Sequence, residues 1–226
     1  MESFLYADKI IKAISSKLVP DAKKNQRGKL GMTFFHGSSV GGLKELKPFA
    51  KPWSNLKEPL VYMTSSKQLA AHYIWPTEKY EIKCPMLDIR PDGTLVFQEM
   101  FSGALEYFYK GLSGWIYKCD GEYQYNDDTG VFTTATSATP VPITSAEYVD
   151  DVYEHIMSYS KRGTFIYEKF EDLRPYRHDI IRGIIYRILK HYDVFNNPTH
   201  PNYKFIPDKF PKYWKEAKVL YKNGLL

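Results

Sequence analysis

Residues 32–39 read Met-Thr-Phe-Phe-His-Gly-Ser-Ser, and residues 60–73 read Leu-Val-Tyr-Met-Thr-Ser-Ser-Lys-Gln-Leu-Ala-Ala-His-Tyr. Each opens as an apolar run of strand length and ends in polar groups. The first ends at His36, Gly37 and Ser38, and the second at Tyr62 and Thr64. Ser65 or Ser66 is a suitable N-cap, which predicts a helix carrying Leu69, Ala70 and Tyr73. The connector from Val40 to Pro59 holds Gly41, Gly42, Pro48, Pro52 and Pro59, so it cannot be a long regular element. A glycine directly after a histidine lets the backbone approach a ligand closely. Tyr62 is expected to point off its strand and Tyr73 to sit about two to three turns into the helix. The two rings are then expected to face each other across a slot about one flat ring wide.

The order and spacing resemble the ADP-ribosyltransferase superfamily, in the branch containing diphtheria toxin and the poly(ADP-ribose) polymerases. The residues that carry the resemblance are His36-Gly37-Ser38, then Tyr62 and Thr64, then Ala71 and Tyr73, with Tyr73 eleven residues after Tyr62. The resemblance implies an α+β fold: a split β-sandwich of antiparallel sheets with flanking helices. It implies that the substrate is NAD+, with His36 on the adenosine-side ribose. Gly37 and Ser38 would grip the nicotinamide carboxamide, and Tyr62 and Tyr73 would sandwich the nicotinamide ring. The reaction it implies breaks the nicotinamide–ribose bond through a cation-like transition state, which nearby negative charge stabilises.

Most of the family places a Glu at the start of a late strand, here expected at Val131–Thr136. That run has no Glu, and Thr134 stands at the aligned position. Asp127 and Asp128 lie just upstream in a turn, and Glu147 lies on the following strand. The catalytic candidates are therefore Asp128, Thr134 and Glu147. Family members without the Glu tend to transfer a single ADP-ribose or to have lost activity. Two functions follow: mono-ADP-ribosyl transfer to a macromolecule or small molecule, or a non-catalytic module of the same fold that binds nucleotide, nucleic acid or protein.

Outward from this stretch, residues 4–18 carry an amphipathic helical stripe. Tyr80–Cys84 and Thr94–Phe97 read as short strands, with a turn at Arg90-Pro91-Asp92-Gly93. A helix is expected over Glu99–Lys110, stopped by Gly111. Gly114–Cys119 is a strand, with Asp120-Gly121 suggesting a hairpin into Glu122–Tyr125. Val131–Thr136 and Val141–Val149 are further strands, interrupted at Pro140 and Pro142. Helices follow at Asp150–Tyr159, at 179–192 with its isoleucine stripe, and at Pro211–Lys222. This divides the chain into a transferase-like domain at 1–158 and a basic, aromatic helical extension at 159–226.

The balance of 43 % apolar and 25 % charged residues excludes a disordered chain. Neither a membrane-spanning run nor a signal-peptide core is legible, and two cysteines without metal spacing suit a reduced, cytoplasmic protein. Gly-rich phosphate loops, His-Glu-x-x-His and a Gly-x-Ser-x-Gly elbow are absent from the sequence. The net charge of +5 is uneven: residues 159–226 hold fourteen Lys and Arg against seven Asp and Glu. That third is either a surface for an acidic partner, such as nucleic acid or protein, or a solvated helical buttress.

Overall fold

β1 (Met32–Ser38) is the middle strand of a five-stranded antiparallel sheet. The sheet also contains β3 (Val61–Thr64), β6 (Gly114–Gly121), β7 (Thr134–Ser137) and β9 (Ser145–Val149), in the order β7-β3-β1-β6-β9. Five shorter strands complete the set: β2 (Glu45–Leu46), β4 (Met86–Ile89), β5 (Leu95–Gln98), β8 (Val141–Pro142) and β10 (Phe165–Glu168). β2 and β8 form a two-stranded ribbon, and β10-β5-β4 form a three-stranded sheet in which β10 runs parallel to β5. The computed structural model describes residues 32–50, 58–75, 86–90, 92–126 and 133–226. The expected helix at 4–18 and the expected strand Tyr80–Cys84 lie outside the described residues.

Among the described residues there are six α-helices: α1 (Lys67–His72), α2 (Ala104–Tyr109), α3 (Val152–Ser160), α4 (Pro175–His191), α5 (Asn202–Lys209) and α6 (Pro211–Lys222). The molecule is a mixed α+β protein. No helix among the described residues is long and apolar enough to cross a membrane.

Alternation along the strands divides the large sheet into two faces. Phe34, Val61, Met63, Cys119 and Ala135 point one way and are covered by Leu46 and Val141 of the β2–β8 ribbon. Phe35 and Ile116 point the other way, into the main core. That core also takes Leu69 and Ala70 from α1, Phe97 from β5, Phe165 from β10 and Ile156 from α3. Ile181, Ile185 and Leu189 of α4 and Ala217 of α6 belong to the same cluster. Each fully buried Leu or Ile contributes about 1.5–3 kcal/mol, so the helices after residue 159 share their stability with the sheet.

Several elements differ from the sequence expectation for identifiable reasons. The Asp120-Gly121 pair does not turn, because it continues the ladder opposite Thr33 and Met32. Asp120 accepts hydrogen bonds from the hydroxyls of Thr33 and Thr144, which hold its carboxyl below the usual range together with Lys118. Residues 122–124 are not strand, and Tyr125 makes a single bridge to Ala135. The helix expected over Glu99–Lys110 starts only at Ala104, after Gly103 in the left-handed region. Glu99 is buried and accepts the backbone N–H groups of Leu105 and Phe170, so it ties the helix start to the chain beyond β10. Val141–Val149 is two strands, separated where Thr144 donates its N–H to the Lys118 carbonyl.

His72 sits on the buried side of α1, ringed by Phe97, Tyr109 and Phe165. Its Nδ1 donates to the Gln68 carbonyl, and its Nε2 is buried without a hydrogen-bond partner. Burial lowers its pKa to about 4, with the Gln68 bond opposing and His155 adding to the shift. The depressed value means that the unfolded chain takes up this proton more readily. The stability held above pH 6.5 is therefore lost as pH falls towards 4, by about 3 kcal/mol. Urea unfolding between pH 7 and 4 should show this loss, and His72→Phe should flatten the curve.

Candidate functional site

β1 pairs with β6 at seven positions but meets β3 at one, Phe35 opposite Thr64. Beyond that pair the strands part. His36 bridges the opening: its Nδ1 donates to the Tyr62 carbonyl at 2.8 Å. A carbonyl only accepts, so Nδ1 carries the proton and Nε2 is the acceptor nitrogen of the neutral ring. The antiparallel register sets Tyr62 beside Gly37, on the face that α1 covers.

α1 is short because its signals are close together. Ser66 is the N-cap, its Oγ accepting from the Leu69 N–H, and Tyr73 is already the C-cap. Tyr73 is thus just past a six-residue helix, not deep within one, and its side chain is 45 % exposed. The helix end lies directly on β1. A Cβ at Gly37 would fall 1.9 Å from the Ala70 carbonyl oxygen and 3.0 Å from the Ile74 nitrogen. Chain connectivity places Tyr73 between those two contacts. Gly37 therefore lies beside the Tyr62 position of β3 and under the end of α1 that leads into Tyr73, and His36 bonds the Tyr62 carbonyl. The glycine's bare face receives helix backbone, a packing requirement that the sequence reading had assigned to ligand approach.

Ser38 stands opposite Trp115 on β6 and accepts the Val40 N–H, closing the turn after β1. Thr64 is buried, donates to the Thr133 hydroxyl at 3.1 Å and accepts the Ser66 N–H. Its role in this structure is to join β3, α1 and the start of β7. Phe49 packs edge-on against Tyr62, with ring centroids 6.2 Å apart.

The two described catalytic candidates do not come together. Thr134 pairs with Thr64 on the edge strand β7 and is buried. Glu147 is on the opposite edge strand β9, beside Ile116, and bonds Lys67 at 2.5 Å. β7 and β9 are four strand spacings apart, roughly 19 Å, and α1 lies between Glu147 and Tyr62. Asp128 lies outside the described residues. Asn126 donates its N–H to the Thr134 carbonyl and its amide to Thr136, the partner of Tyr62.

A cavity of about 570 Å³ opens at the other end of α1. Its walls include Ser65, Lys67, Glu147, His155, Tyr159 and Arg162. None of His36, Gly37, Tyr62 or Tyr73 lines it. His155 Nε2 and the Tyr159 hydroxyl are 3.1 Å apart, and the Arg162 guanidinium lies 4.5 Å from the Tyr159 ring centroid. Burial holds the His155 pKa below its usual value, Glu147 and Asp150 oppose that shift, and Lys67 and Arg162 add to it. Burial also raises the Tyr159 phenol. Sequence reading missed this site because its groups come from five separated segments. His155 and Tyr159, one helical turn apart, were the only local signal.

Comparison with family models, with curated proteins and with solved structures finds no match to this chain. The described residues also contain no group of three or more metal-ligand side chains.

Gly37→Ala should force α1 away from β1. Overpacking of this kind costs about 1–3 kcal/mol, which lowers the melting temperature of a chain this size by roughly 2–12 °C. Thermal unfolding followed by circular dichroism measures it.

Proposed function

We propose that the protein binds NAD+ at the opening between β1 and β3 and transfers a single ADP-ribose to an acceptor. The observations that support this reading are the bond from His36 to the Tyr62 carbonyl and the seating of the α1 end that leads into Tyr73 on Gly37, in the order in which the sequence resembles the transferases. In this reading the fold is a transferase-like split sandwich. Nicotinamide lies against the edge of β1 at Gly37 and Ser38, with the faces of Tyr62 and Tyr73 on either side. His36, held by the Tyr62 carbonyl through Nδ1, offers Nε2 to a ribose hydroxyl.

In the transfer, the bond between nicotinamide nitrogen and ribose C1′ breaks, and its electron pair leaves with nicotinamide. A lone pair of the acceptor forms the new bond to C1′, and the acceptor's proton passes to water or to a carboxylate. The positive charge at C1′ needs a negative neighbour. Glu147 is a poor candidate, because Lys67 already pairs with it on the far flank of α1. Thr134 carries no charge. The reading therefore assigns the role to Asp128.

Incubation with NAD+ labelled on the adenosine side should yield free nicotinamide and labelled acceptor; absence of both overturns the reading. Stacking contributes roughly 1–3 kcal/mol per ring in the nearest analogue, so Tyr73→Ala should weaken NAD+ about tenfold. Tyr73→Phe should cost much less. Asp128→Ala should leave affinity nearly unchanged and suppress nicotinamide release. Calorimetry and a release assay on the same variants separate binding from chemistry.

A further inference from the structure

The cavity at the N-terminal end of α1 is built from groups that the NAD+ reading does not use. Two cations reach it, Lys67 from α1 and Arg162 from the segment after α3. Lys67 pairs with Glu147. Arg162 is held in place by bonds from its guanidinium to the Ser158 hydroxyl at 2.9 Å and carbonyl at 3.4 Å, and by the Tyr159 ring. Among the described residues no carboxylate pairs with Arg162. The wall thus carries one cation that no ion pair among the described residues matches, beside the half-buried Ser65 and the His155–Tyr159 pair.

A second observation adds to the charge. Gln68 also lines the cavity, and its Nε2 donates to the Thr164 hydroxyl at 2.6 Å. Its Oε1 is buried with no donor. A buried acceptor without a donor costs about 1–3 kcal/mol, and a turn of the Gln68 amide towards the cavity on binding would bring it to a ligand hydroxyl and remove that cost. An unmatched guanidinium and an unsatisfied amide oxygen in one polar cavity ask for a ligand that carries an anion and a hydroxyl together. The 570 Å³ volume admits a molecule larger than a bare ion.

We infer that this cavity binds a phosphate monoester of a hydroxylated small molecule, with Arg162 and Lys67 on the phosphate and Gln68 accepting from a hydroxyl. Arginine matches phosphate with paired N–H groups, which gives direction as well as charge. The site stands apart from the opening at Gly37, so it does not depend on the NAD+ reading.

Calorimetry with the full chain tests it, using ribose 5-phosphate and AMP as probes and ribose as the control. The phosphate esters should bind and ribose should bind far more weakly. Arg162→Gln should reduce affinity about tenfold or more, and Gln68→Leu should reduce it by a smaller factor. Arg162 is exposed and outside the core, so this variant should keep the wild-type melting temperature. Equal binding of ribose and ribose 5-phosphate, absence of binding by both esters, or unaltered affinity in Arg162→Gln would each overturn the inference.

Discussion

Backbone-to-backbone contact between Gly37 and the end of α1 is the constraint on which the rest depends. Helices usually stand off a sheet by the thickness of their side chains. Here the Ala70 carbonyl occupies the space where a side chain of β1 would begin, and Ala70 and Ala71 are fully buried. This seats a very short helix, which could not persist alone, against the middle strand. Because α1 is so short and so close, its two ends open onto different environments. One end delivers Tyr73 to the gap beside Tyr62, and the other delivers Lys67 and Gln68 to the polar cavity.

Charge follows the same division. At the opening between β1 and β3 stand the His36 imidazole, the Tyr62 phenol and backbone groups. The polar cavity instead holds paired and unpaired ions around His155. A flat, weakly charged ring suits the first setting and an anion the second. Glu147 illustrates the difference. Its sequence position made it a candidate for catalysis, but the sheet order sets it at the far edge, where it is an ion-pair partner for Lys67.

The sequence was readable where local chemistry decides structure. Ser66 caps α1, Gly93 turns at positive φ between β4 and β5, and Gly111 follows α2 in the left-handed region, each as its residue type requires. His36 and Tyr62 were expected on separate strands, and the structure makes those strands neighbours. What could not be read depends on distant partners. β10 is four residues whose strand character comes from pairing with β5. α5 contains Pro207 and was not among the expected helices, yet Ile206 is buried in one cluster with residues of α4 and α6. Asp120-Gly121 is a strong local turn signal, but the ladder with β1 outcompetes it. Charge composition changes at residue 159, while Phe165 of β10 is part of the central core.

The parallel pairing of β10 with β5 also sets an order of events. That ladder closes a loop containing α2, β6, β7, β8, β9 and α3. As the chain leaves the ribosome, the five-stranded sheet has all its strands once Val149 has emerged, while Leu95 and Phe97 still lack their neighbour. The three-stranded sheet must wait until Glu168 is out, and Phe97 and His72 wait with it for Phe165. Closing so long a loop has an entropic cost that is recovered only when both sheets share one core. Synthesis therefore produces a nascent chain whose five-stranded sheet is fully translated before the segment that completes its shared core has emerged.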